Sequence, residues 1–245
     1  MQHVVLVSHG TDDADGAEAI SGLVAAVAAE LDSVAFSVHE TYVDVQTPQL
    51  PEVLEGILAG ESDAAISVVP LLLGNGYHVH HDIAGAILEA SERHPAAKIL
   101  LSPALGPHPL LATLLRQRLE ESGWKPEDLV VLASAGSSDP ESVRDSERVR
   151  EMLAEQLSQL GARREPELAF LSAAEPRLKD LVPRLKFANP RARVLIANYL
   201  LAPGFFDNLA GRSGAHVLSA PLLMAKALAP EQLRQLVLER LAQAK

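Results

Sequence analysis

The sequence predicts an α/β fold made of two similar domains, each a parallel sheet flanked by helices, with a cleft between them. Three observations predict it. Short aliphatic runs alternate with stretches of helical spacing, which is the pattern of βαβ units. The runs are apolar throughout, as strands covered on both faces are. The pattern then starts again near residue 124, so the second half of the 245 residues echoes the first.

The elements follow in order. His3 to Ser8 is a short apolar run ending in HGT, a strand and then a turn. Ala17 to Leu31 has helical spacing, Val34 to Asp44 reads as a second strand, and Pro48 to Ala59 as a helix. Ala64 to Leu73 is a third strand, and a glycine-loosened stretch, PLLLGNGYHVHHD at 70–82, follows from its end. A helix is expected near Ile83 to Arg93, a fourth strand at Ile99 to Ser102, and a helix from Pro109 to Ser122.

The echo rests on three paired stretches. VVLVSHGTDD at 4–13 matches VVLASAGSSD at 130–139, YVDVQTPQLPEVL at 42–54 matches FLSAAEPRLKDLV at 170–182, and LLLGNGYH at 71–78 matches YLLAPGFF at 199–206. The offsets are 126, 128 and 128. Gly123, Trp124 and Pro126 punctuate the join, which places one domain at 1–123 and its duplicate at 124–245. Each unit of about 120 residues is long enough for a core of its own.

Composition narrows the function. There is no cysteine, which excludes disulfides, Cys-ligated zinc and Cys-ligated iron–sulfur clusters. The apolar runs are too short to span a bilayer. MQHVVLVSHG has no basic flank or cleavage site and reads as a first strand, so a cytoplasmic protein without a membrane partner is expected. The net charge is −11, which makes a nucleic-acid partner a poor expectation. The charge is unevenly placed. Residues 1–92 hold 15 acidic residues and no Lys or Arg, and all 21 basic residues come later.

Overlaying the halves separates backbone-shaping residues from chemical ones. Gly10 falls opposite Gly136, Gly76 opposite Gly204 and Pro48 opposite Pro176. His9, Asp44 and His78 fall opposite Ala135, Ser172 and Phe206. A purely structural side chain would recur, so the comparison favours one active half and one supporting half. Parallel sheets bind ligands beyond the carboxyl ends of their strands, and His9, Asp44 and His78 all lie at or near such ends. Two imidazoles and a carboxylate suit a loosely held first-row divalent metal, and neutral histidine also accepts protons near pH 7.

SHGT after the first strand, an acidic strand before TPQLPEVL, PLLLGNGYHVHHDI and LGPHPLL at 105–111 together resemble the class II chelatases of the CbiX/SirB type. The resemblance covers most of residues 3–122. It implies a chelatase-like fold with the active cleft between the domains. It also implies ATP-independent insertion of Fe²⁺ or Co²⁺ into sirohydrochlorin, for sirohaem or cobalamin biosynthesis. The metal is then a substrate and no permanently bound cofactor is implied. The duplicated length resembles the long single-chain form, without the histidine-rich tract and cysteine-bound cluster of some long members, and fits a monomer or a homodimer.

By that resemblance His9 and His78 are the two catalytic histidines and the metal ligands. Asp44 stands where the family often has Glu, and is equally readable as a salt-bridge partner. Gly10, Thr11 and Gly76 offer backbone N–H groups to the substrate's carboxylates. Tyr77 packs on the macrocycle or simply in the fold, and His80, alternating with His78, is a candidate for the same cavity. Arg212 is the expected cation for the carboxylates, ahead of Arg177 and Lys179. His81 is read as solvent-facing or capping, His108 as a turn residue, and His3, His39, His94 and His216 as structural or surface residues.

Three rival readings stand beside this one. Histidine phosphatases also place HG after a first strand, but they need Arg just before that histidine, where this chain has Ser8. A non-catalytic tetrapyrrole or metal carrier would use the same histidines without turnover, and a chelatase acting on a different tetrapyrrole would use them with it.

Overall fold

The computed structural model describes residues 1–76 and 78–244, and for His78 and His80 the backbone alone. In the first half, strands β1 (Gln2–Ser8), β2 (Phe36–Tyr42), β3 (Ala65–Pro70) and β4 (Lys98–Leu101) form a sheet in the order β2-β1-β3-β4, with every pair parallel. In the second half, β5 (Leu129–Ser134), β6 (Glu167–Phe170), β7 (Val194–Tyr199) and β8 (Val217–Leu218) repeat that order as β6-β5-β7-β8, again all parallel. Helices α1 (Ala14–Glu30), α2 (Leu50–Gly60), α3 (Ala84–Arg93) and α4 (Pro109–Glu121) follow the first four strands. Helices α5 (Pro140–Gln159), α6 (Leu178–Ala188), α7 (Phe205–Gly211) and α8 (Glu231–Ala242) follow the second four. The fold is therefore α/β with two similar halves, as the sequence predicts.

The strands obey a period of two. In β1, Val4 and Leu6 face a central core, while Val5 and Val7 face an outer layer against α2. In β5, Val130 and Leu132 face the same central core, while Val131 and Ala133 face their own outer layer. Leu23 of α1, Leu111 and Leu115 of α4, Val149 and Leu153 of α5, and Leu233 and Val237 of α8 complete that central core. Length alone favours one core per half. The structure instead shares one inner layer of helices between the two sheets, because both sheets need their inner faces covered.

The last helix of each half crosses over. α4 packs on α5 and β7 of the second half, and α8 packs on α1 and β3 of the first. Each crossing carries a buried arginine. Arg118 donates to the Leu222 carbonyl at 3.0 Å, and Arg240 donates to the Leu105 carbonyl at 2.9 Å. Burial pulls the Arg240 guanidinium below its usual pKa, so those carbonyls stabilise a charge that is costly to hide.

Two boundaries differ from expectation. The strand expected over 34–44 stops at Tyr42, because Val45 takes a left-handed conformation (φ 63°) and Tyr42 N–H turns back to Pro48 O. The helix expected near 83 is preceded by a π-helical turn, His78–Ile83, which puts the HVHHD residues in wide helical geometry instead of a loop.

With one shared core, unfolding should be a single transition, with Trp124 fluorescence and far-ultraviolet circular dichroism coinciding. Two separate transitions would contradict it. Arg118→Met or Arg240→Met should each cost about 2 kcal/mol in urea unfolding, since each strands buried carbonyls.

Candidate active site

β1 lies between β2 and β3, so the chain leaves β1 and β3 in opposite directions. A crevice opens at such a point, beyond the carboxyl ends of the strands. The second sheet has the same arrangement at β5 and β7. A cleft of about 690 Å³ joins the two crevices. Ser8–Asp12, Val45, Gln46, Leu71–Gly74 and Gly76 line one wall; Ser134–Ser138 and Tyr199–Asp207 line the other.

His9 is exposed in this cleft at the tip of β1. Its position is set by its backbone, since the His9 carbonyl accepts from Asp44 N–H at 3.0 Å and the Ser8 carbonyl from Val43 N–H at 2.9 Å. Gly10 follows with φ 91°, and a Cβ there would stand 2.1 Å from the Asp44 carbonyl oxygen. Glycine alone permits that approach, and the second half repeats it at Gly136 against Ser172. Thr11 N–H is taken by the Gln46 side chain at 2.9 Å, and the Thr11 hydroxyl accepts from Asp13 N–H at 3.1 Å. Asp13 in turn caps α1 by accepting from Gly16 N–H. Thr11 thus spends its backbone donor inside the loop, while Gly10 and Gly76 line the cleft.

Asp44 is brought beside His9 by the backbone only. Its carboxylate is exposed, accepts from Val45 N–H at 2.7 Å, and is not among the lining residues, whereas its neighbours Val45 and Gln46 are. His78 opens the π-helical turn just after Gly76, so its backbone starts beside the same cleft. The side chains of His78 and His80, and Tyr77 altogether, lie outside the described residues. Val79, between the two histidines, is buried and lines the cleft, and His81 is exposed. His108 caps α4 by accepting from Leu110 N–H and pairs with Glu239 at 3.2 Å. Arg212 is exposed at the C-terminal end of α7, while the opposite end of that helix, Phe205 to Asp207, lines the cleft.

The facing wall is chemically plainer. Ala135 and Phe206 stand where the first half has His9 and His78. Among the described lining residues there is no Lys or Arg, but several serines. Ser134 pairs with Ser146 at 3.0 Å, whereas its counterpart Ser8 has a buried hydroxyl with no hydrogen-bond partner among the described residues.

One titratable group in the cleft was not legible from motif reading. Asp207 is raised above its usual pKa, first by burial and then by the nearby Asp13 charge, although Asn198 opposes this by donating to it at 2.7 Å. Its sequence signal was slight: an acid two residues into a short helix, beside a loop recognised only through the repeat.

Known proteins resemble this chain in its first half and, more broadly, along most of its length. Residues 3–122 match the CbiX family model. A sirohydrochlorin ferrochelatase of Priestia megaterium is 29% identical over 85% of this chain and 76% of its own length. A sirohydrochlorin cobaltochelatase of the same organism is 24% identical over 83% of this chain and 65% of its own length. A solved structure, SirB from Bacillus subtilis with Fe3+, superposes with a TM-score of 0.78 over 99% of this chain and 95% of that one, at 23% identity. At that identity the likeness is one of fold.

The Asp207 environment has a pH signature. A carboxyl with a raised folded pKa binds its proton more tightly when native, so its contribution to stability grows as pH falls through that pKa and levels off below the unfolded value, about 3.9. Asp207→Asn, which keeps an acceptor for Asn198, should raise Tm at pH 8 and lose that advantage as pH falls towards about 4. Thermal denaturation of both proteins across this range checks it, and a pH-independent difference would count against it.

Proposed function

We propose that this protein, which belongs to the CbiX family through residues 3–122, inserts a divalent metal, Fe²⁺ or Co²⁺, into sirohydrochlorin without ATP, on the way to sirohaem or cobalamin. The observation that carries the reading is the coincidence of that family match with the cleft. The matched half sends both the tip of β1, with His9, and the loop after β3, leading to His78, to one opening between the sheets.

Metallation exchanges two pyrrole N–H protons of the macrocycle for one M²⁺. His9 and His78 are assigned as ligands of the incoming metal and acceptors of the departing protons, roles that neutral imidazole combines near pH 7. A ligand set this small leaves coordination positions open, so the metal can be handed over. The acidic first half favours cations near the site. Asp44, held next to His9 through the backbone, is assigned to tuning that histidine's environment rather than to direct ligation.

The second half supplies the facing wall. We infer that residues 1–123 are the catalytic unit and that residues 124–245 are its duplicate without the catalytic histidines. The repeated strand order and the alignment of His9 with Ala135 and His78 with Phe206 support this. Substrate carboxylates inside the cleft meet serine hydroxyls and backbone N–H groups, including those of Gly10 and Gly76. Arg212, at the far end of α7, is assigned to carboxylates on the rim.

An anaerobic assay with sirohydrochlorin and Fe²⁺ or Co²⁺, followed by the absorbance change of the macrocycle, tests the reading. Tetrapyrrole binding with no metallation would make the protein a carrier instead. His9→Ala and His78→Ala should each lower kcat by about a hundredfold or more. Arg212→Ala should raise KM and flatten its salt dependence with kcat retained; no change in either would remove that residue from the site.

A further inference from the structure

The loop from Leu73 to Gly76, which leads directly into His78, is held by the second half of the chain. The Tyr199 hydroxyl on β7 donates to the Leu73 carbonyl at 2.9 Å. The Asp145 carboxylate on α5 accepts from Asn75 N–H at 3.1 Å. Asn75 closes the arrangement on its own side, where its side-chain oxygen accepts from Ala104 N–H at 3.2 Å. The two glycines of the loop lie against α5, where a Cβ on Gly74 would stand at contact distance, 3.4 Å, from the Ser142 hydroxyl, and one on Gly76 at 3.5 Å from its Cβ.

Both clamping groups are buried, Asp145 at 1% and Tyr199 at 2% exposure. Burial pushes the Tyr199 phenol far above its usual pKa, so it stays a donor. The Asp145 carboxylate also pairs with Arg148 on the same helix at 3.4 Å, but apolar replacements of such buried charges are often neutral or better, so stability alone does not call for a carboxylate here. The internal repeat shows that the fold does not require either group. By the same offsets, Asp145 stands opposite Ala19 and Tyr199 opposite Leu71, both apolar members of the central core. The halves therefore differ in complementary ways: the first has the histidines, and the second has two buried polar groups aimed at the loop that leads to one of them.

We propose that Asp145 and Tyr199 are positioning residues, which fix the Leu73–Gly76 loop so that His78 enters the cleft in the geometry metal insertion needs. This rests on the reading of His78 as an active-site group. The supporting half is then a brace for the site as well as its far wall.

Full-length Asp145→Leu, Asp145→Asn and Tyr199→Phe test it, with wild type, by anaerobic Co²⁺ insertion and by hydrogen exchange of the Asn75 amide. Asp145→Leu should lower kcat about tenfold or more with KM changed less than about twofold, since misplacing a reacting group acts on the chemical step. Asp145→Asn, which keeps an oxygen acceptor, should recover most of that loss, and Tyr199→Phe should show a smaller kcat loss. The Asn75 amide should exchange faster in Asp145→Leu while amides in β6 keep their rates. Wild-type kcat in both Asp145→Leu and Tyr199→Phe overturns the proposal, as does unchanged Asn75 exchange. If Asp145→Leu does not fold, Tyr199→Phe alone decides by the same kcat criterion. A wild-type protein that binds sirohydrochlorin but never metallates it defeats the chelatase reading instead, and Asn75 exchange still reports on the clamp.

Discussion

Everything in this structure depends on covering both faces of two parallel sheets with one inner layer of helices that the sheets share. A parallel strand presents side chains on two sides, and both must leave water. Here α1, α4, α5 and α8 form one apolar layer that serves both sheets. That sharing forces the sheets to face the same layer, sets their strand ends on a common side, and brings the crevice of one against the crevice of the other. The cleft is thus a by-product of how the core is filled.

The same constraint explains the division of labour. A duplicated wall is needed to close the cleft, but it does not need duplicated chemistry. Backbone-determining features persist on both sides: Gly10 and Gly136 each lie against a carbonyl of the neighbouring loop, and Asp13 and Asp139 each cap the following helix. Side chains are free to diverge where the backbone does not depend on them. The His9 imidazole stands on one wall, and serines, an alanine and a phenylalanine occupy the other. With no Lys or Arg among the described lining residues, the cleft also avoids repelling an incoming divalent ion.

Much of this was legible in the sequence because its signals are local. Mostly apolar strands, turn glycines and a repeat at nearly constant offset give the α/β order directly, although β2, with Ser37, His39 and Glu40, is polar and half-buried, and Ala135 opposite His9 marks where the two walls differ. What the sequence did not reveal is non-local. Nothing in the spacing of α4 or α8 says that each packs across the join, because an amphipathic helix fits either sheet equally well. Asp145 looks like one more charge on a charged helix, and only its burial and its bond to Asn75 distinguish it. Arg212 is expected at the site because it follows soon after the loop equivalent to residues 70–82, but a helix of seven residues carries its two ends roughly 10 Å apart, and Arg212 is not among the lining residues.

The crossing of α8 onto β3 and α1 also sets an order of events during biosynthesis. β3 ends at residue 70 and α8 begins at residue 231, so at ordinary ribosomal speed the first sheet waits roughly ten to thirty seconds for its last cover. Until then the nascent half leaves aliphatic surface bare, a state that attracts chaperones. The loop leading to His78 also lacks Asp145 and Tyr199 until translation has passed them. In a growing chain that loop therefore gains its last two hydrogen bonds only after the far wall has been made.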